Sequence, residues 1–200
     1  MEKRIWFTNL LKEGAKNLVE KIVTDKSGRR SFTDKEIDLI KKGIEKKIIV
    51  VEGNKFILSH NPERLYDAFT LNREYFTQFA AFIELVEQYS YKIEECKFEY
   101  HMMDICVFKN ATPYIYIETK ISDSEAQKLI TEIKEKYSKN LQAFKNLPDR
   151  GNDSLRKSKY IFFDKPKFLK IITPNNYFAY SIEYTKQGFN LSTIDDIPKA

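Results

Sequence analysis

The chain has 200 residues, 42% hydrophobic and 14% aromatic, with a formal net charge of +5. That is apolar material for one large domain or two small ones, and the mildly basic balance is compatible with a nucleic-acid partner. No apolar run approaches the roughly 20 residues that cross a bilayer, Met1 to Trp6 lacks a signal-peptide core, and Cys96 and Cys106 show neither metal-ligand spacing nor a disulfide pattern, so no membrane partner and a reducing cytoplasm are expected.

In chain order, Leu10 to Val23 has helical periodicity. Thr33 and Glu36 form a capping box that opens a helix to about Lys46. Ile48 to Val51 and Lys55 to Leu58 read as a hairpin. Two helices and a hairpin resemble a winged-helix module over residues 1–60, the hairpin being the wing. In such modules a helix enters the major groove, which makes Arg29 and Arg30 candidate phosphate contacts. Asn61 followed by Pro62 reads as an N-cap with proline at the first helical position, so the boundary to a second domain, 61–200, is expected near His60.

A helix is expected from about Asn72 to Gln88, with Phe76, Phe79, Ala80 and Ile83 in one stripe at 100° per residue. Glu87 falls within that stripe and Glu84 at its edge. A strand covers Tyr91 to Phe98. Two further strands, Met103 to Phe108 and Tyr114 to Lys120, flank the turn residues Asn110, Ala111, Thr112 and Pro113. A three-residue loop, Asn110 to Thr112, opposes Asp104 to Glu118 and puts both on one face, with Cβ atoms about 5 Å apart. A four-residue loop puts Asp104 on the other face unless a bulge restores it. Lys120 shares the face of Glu118, because side chains alternate along a strand. Charge on a buried strand is costly unless paired or metal-bound.

Ser122 and Glu125 form a second capping box, and the helix behind it extends to about Lys145. Its N-terminus favours phosphate through the helix dipole. The segment Arg150 to Lys159 is basic and has no apolar stripe. It reads as a loop in which Arg150, Arg156, Lys157 and Lys159 touch phosphates. Tyr160 to Phe163, Phe168 to Thr173, Tyr177 to Ile182 and Phe189 to Leu191 read as strands, and the tail from Asp195 to Ala200 as loose. The fold class is α/β (α+β): a mixed central sheet flanked by helices.

Asp104, thirteen intervening residues, then Glu118-Thr119-Lys120 resembles the PD-(D/E)xK nuclease superfamily, which includes restriction endonucleases, archaeal Holliday-junction resolvases and viral cap-snatching endonucleases. Met103 stands where the family name has proline. Glu-x-Lys alone carries little in a chain that is 32% charged, and it recurs at Glu132-Ile133-Lys134. The opposed Asp and the capped helix that follows give it weight. The family order of helix, three antiparallel strands, helix and strand has candidates over residues 70–175. The resemblance implies a restriction-endonuclease-like core. In it Asp104, Glu118 and the Thr119 carbonyl ligate Mg²⁺ or Mn²⁺, and Lys120 acts on the attacking water or the developing charge. It also implies an added glutamate from the first helix, Glu87 ahead of Glu84, and a polar side chain near the phosphate, Gln127. His101 and His60 are weaker ligand candidates, His60 being the feature that favours cap-snatching RNA cleavage.

The expected activity is a metal-dependent endonuclease acting on DNA in restriction, recombination or mobile-element biology. RNA cleavage of the cap-snatching kind is one alternative. A non-catalytic winged-helix DNA-binding or interaction protein is the other. Restriction enzymes often dimerise to cut both strands, which makes a homodimer one expected arrangement.

Overall fold

A computed structural model describes residues 32–52, 55–67, 73–145 and 151–200, with the backbone alone at 61–65 and 67. The helix expected over Leu10 to Val23, and Arg29, Arg30 and Arg150, lie outside these residues. The chain divides into two compact units, Met1–Glu84 and Leu85–Ala200.

In the first unit, helix α1 (Asp34–Glu45) starts at the expected capping box: Glu36 N–H donates to Thr33 Oγ1 at 3.2 Å, and Thr33 N–H to Glu36 Oε2 at 2.9 Å. Glu36 is buried and also accepts from Arg73 and Thr77, so its charge is compensated inside the fold. The hairpin of β1 (Ile49–Glu52) and β2 (Lys55–Leu58) is present. The helix expected from Asn61 is instead a third strand, β3 (Asn61–Asp67), antiparallel to β2. Pairing with β2 overrides the local capping signal, and β3 is an edge strand, where Pro62 is tolerated without its N–H. The expected boundary at His60 therefore falls within a β-meander, while the units divide within the next helix, α2 (Arg73–Glu87).

The second unit is built on a mixed six-stranded sheet in chain order: β4 (Cys96–Tyr100), β5 (Met103–Lys109), β6 (Thr112–Thr119), β7 (Phe168–Ile172), β8 (Tyr177–Thr185) and β9 (Gly188–Ile194). All neighbours are antiparallel except β6 and β7. A 3₁₀ turn, Ile93–Glu95, delays the strand expected from Tyr91. The connection from β6 to β7 carries helix α3 (Asp123–Glu132), a wide π turn over Ile133–Tyr137, a 3₁₀ turn over Leu141–Phe144, and helix α4 (Asp153–Asp164). One apolar cluster joins Met103, Cys106, Tyr116, Leu169 and Ile171 of the sheet to Ala126, Leu129 and Ile130 of α3 and Ile161 of α4.

Helix α4 replaces both the expected basic loop and the expected strand Tyr160 to Phe163. Asn152 caps it by accepting from Leu155 N–H at 3.3 Å, and Lys165 ends it in a left-handed conformation. Its buried residues are Ser154, Leu155, Lys157, Ser158 and Ile161. Two serines and a lysine hide the apolar period, and a four-residue apolar run fits strand or helix equally.

The tail is docked. Tyr91 Oη donates to the Pro198 carbonyl at 2.7 Å, Ala200 N–H donates to the Tyr89 carbonyl at 3.0 Å, and Ile197 is buried.

Gly188 opens β9 at φ 144°, and a Cβ there would lie 1.9 Å from the Ser138 carbonyl oxygen. The close approach lets Phe189 N–H bond that oxygen at 3.0 Å. Gly188→Ala is expected to cost about 2 kcal/mol or more, read from the urea midpoint by far-UV circular dichroism. An unchanged midpoint contradicts this packing.

Candidate functional site

The site sits where β5 begins and β6 ends, beside α4. The tip of the hairpin is a two-residue turn, Asn110 and Ala111, both at positive φ. Alone, that turn would slip the ladder by one residue. A bulge between Val107 and Phe108 on one side, and Ile115 and Pro113 on the other, accommodates Tyr114 as the extra residue. From there inward Val107 faces Ile115, Cys106 faces Tyr116 and Ile105 faces Ile117. The next step of this register sets Asp104 opposite Glu118, the expected pairing reached by a different loop.

A carboxylate oxygen of Asp104 and one of Glu118 lie within 4.8 Å of each other. Glu118 is buried and Asp104 half-buried. Like charges this close in a low-dielectric setting repel strongly. Four contacts offset the repulsion. Asp104 Oδ2 accepts from Thr119 N–H at 2.6 Å and from Thr119 Oγ1 at 2.5 Å. Lys120 Nζ donates to Glu118 Oε1 at 2.6 Å, and Lys157 Nζ lies 2.9 Å from Glu118 Oε2. The β-structure aims Lys120, whose N–H donates to the Ile172 carbonyl of the parallel partner strand. Helix α4 aims Lys157, whose ammonium also donates to the Met102 carbonyl at 2.5 Å.

These contacts leave their mark on the acidities. Burial, then the Glu118 charge, push the Asp104 carboxyl up to about 7, with Thr119 and Lys157 acting in the opposite direction. Burial alone would lower Lys157, but Glu118, Asp153 and Asp104 outweigh it and hold its ammonium above the usual lysine range. Two adjacent carboxylates that resist holding two charges are a hard-oxygen donor set suited to Mg²⁺ or Mn²⁺. Asp104 and Glu118 would hold such an ion.

Of the other expected residues, Thr119 meets Asp104 through its side chain and N–H, groups other than the carbonyl that the resemblance singled out. Lys157 was expected on a phosphate-contacting loop, but it is a buried helical residue pointing at Glu118. Its only sequence signal is its place three residues before Tyr160 and four before Ile161, which matters only once a helix is recognised. Arg156 and Lys159 are half-buried on the same helix. Gln127 is exposed on α3. The α3 N-terminus is capped by Ser122, which accepts from Glu125 N–H at 3.3 Å, and Asp123 there binds Thr173 and Asn176.

The helix glutamates reverse the expected order of burial: Glu84 is buried and Glu87 half-buried at the end of α2. Glu84 is engaged within the first unit, 2.7 Å from Lys35 Nζ. His60 stacks on Phe82 in that unit, with ring centroids 4.8 Å apart. His101 is exposed, stacks between Tyr100 and Tyr160, and meets Asp164 at 2.7 Å. No protein-family model, curated protein or solved structure matches the chain.

Folded protein retains the Asp104 proton to about pH 7, whereas the unfolded chain releases it near 3.8. Its contribution to stability is therefore complete at the acid end of that window and lost as pH rises through 7. Without divalent ions, the melting temperature is expected to carry a component that falls between pH 4 and pH 7. Asp104→Asn should remove it. A component of equal size in Asp104→Asn contradicts the assignment.

Proposed function

We propose that the chain is a Mg²⁺- or Mn²⁺-dependent endonuclease of the PD-(D/E)xK kind that hydrolyses phosphodiester bonds, with DNA as the favoured substrate. The observation that carries the reading is the apposition of Asp104 and Glu118 on neighbouring strands, with the Lys120 ammonium alongside. Element order supports it: α2, the antiparallel β4–β5–β6, helices, then β7 parallel to β6. So does the place of Glu118, near the carboxyl end of β6 where it runs parallel to β7. The basic balance, and a first unit in which a helix precedes a β-hairpin, favour DNA.

Asp104 and Glu118, with the Thr119 carbonyl, would hold the ion, which when bound supplies Lewis acidity and a more acidic water. Thr119 fixes the rotamer of Asp104 through two hydrogen bonds. Glu118 orients Lys120, whose ammonium is partly exposed and can hydrogen-bond an attacking water or a phosphoryl oxygen. A positioned donor of this sort contributes roughly 10²–10³ in rate.

A nicking assay on supercoiled plasmid with Mg²⁺, Mn²⁺ or chelator tests this reading, with single-stranded RNA in parallel. Wild type is expected to nick DNA only with metal, and Lys120→Ala to be slower by roughly 100-fold or more. Equal cutting by both proteins overturns the assignment of Lys120. No metal-dependent cutting of either nucleic acid overturns the function, and cutting of RNA alone moves the substrate to RNA.

A further inference from the structure

Lys157 has a place that the nuclease reading does not use. Its side chain is 5% exposed, and its ammonium is surrounded by oxygen: Glu118 Oε2 at 2.9 Å, the Met102 carbonyl at 2.5 Å and Asp153 Oδ2 at 3.4 Å. Glu118 Oε2 is itself sealed from water. Lys120 meets the other oxygen, Oε1, and its side chain is 17% exposed. The two lysines are therefore not equivalent. Lys120 stands at the rim, while Lys157 faces the enclosed side of Glu118.

The geometry points to Lys157 as a built-in counter-cation that competes with a divalent ion for the carboxylate pair, so that metal entry requires its displacement. This rests on the cation-binding reading of the same site and adds its regulation. A buried carboxylate pair without a compensating cation is unstable, and Lys157 supplies that charge through both Glu118 and Asp104. A divalent ion coordinated by the same oxygens takes over the compensation. The ammonium and the ion then repel each other across a few ångströms at low dielectric.

Lys157 has somewhere to go. Asp153 lies one helical turn back on α4, already 3.4 Å from the ammonium, and its side chain is 54% exposed. A rotation of the long, flexible lysine chain toward Asp153 vacates the enclosed side of Glu118 without moving the helix. Among the described residues, the acids that act on the ammonium are Glu118 from β6, Asp153 from α4 and Asp104 from β5.

Mn²⁺ binding to the full chain tests the inference without reference to activity. Free Mn²⁺ is followed by electron paramagnetic resonance at pH 8 in wild type, Lys157→Met, Lys157→Gln and Lys157→Arg, with folding checked by circular dichroism. The expected result is Mn²⁺ binding about tenfold tighter in Lys157→Met or Lys157→Gln, whichever folds, and near the wild-type value in Lys157→Arg, which keeps the charge. Unchanged or weaker binding in the folded neutral variants overturns it, because a lysine that merely supports Glu118 would weaken binding when lost. Failure of both neutral variants to fold while Lys157→Arg folds and binds Mn²⁺ more than tenfold more weakly than wild type also overturns it. If wild type and every folded variant fail to bind Mn²⁺, the cation-binding reading itself fails, an outcome distinct from the others.

Discussion

Two carboxylates brought face to face across neighbouring strands are the constraint around which this part of the molecule is arranged. Asp104 and Glu118 would push the strands apart if left alone. Thr119, Lys120 and Lys157 hold them together, and these partners come from the strand itself, its end and a helix far along the chain. Because Lys157 belongs to α4, the charge balance ties the crossover connection to the hairpin. The helix is thus fastened to the sheet by an ion pair as well as by Ile161 and its apolar neighbours.

A second buried lysine, this one on the sheet, gives a useful contrast. Lys170 is 2% exposed and meets the Asp196 carboxylate at 2.7 Å, with its ammonium over the rings of Tyr89 and Tyr177 at 4.5 and 4.0 Å. Its neighbours Leu169 and Ile171 face the helices, so Lys170 belongs to the opposite side of β7. Asp196, the Tyr89 hydroxyl and two aromatic faces engage it, and it secures the docked tail. Lys157 faces several acids instead. Lys170 fastens the tail to the sheet, whereas Lys157 balances the charge of the carboxylate pair.

The parts of the fold that were legible in the sequence are those whose signals are local. The capping box at Thr33, the apolar stripe of α2 and the alternation around Asn110 each specify an element within a dozen residues. The pairing of Asp104 with Glu118 was legible because an odd number of intervening residues allows it in more than one loop geometry. What escaped depends on distant partners. Asn61-Pro62 is good helix-start chemistry, and only the neighbouring β2 makes it a strand. The buried face of α4 includes two serines and a lysine, so it reads as polar until Glu118 is seen across from it. The tail reads as loose because its docking partners, Tyr89 and Tyr91, lie a hundred residues upstream.

The bulge at Tyr114 also separates the hairpin tip from the acids. The ladder resumes at Val107 and Ile115 as if Tyr114 were not there. The tip therefore holds a spare residue, and a strand one residue shorter at that point keeps the same ladder from Val107 inward. The loop is free to drift in length by that one unit while the chemistry beneath it stays in register, so variation at the edge of the sheet is buffered before it reaches the charged centre.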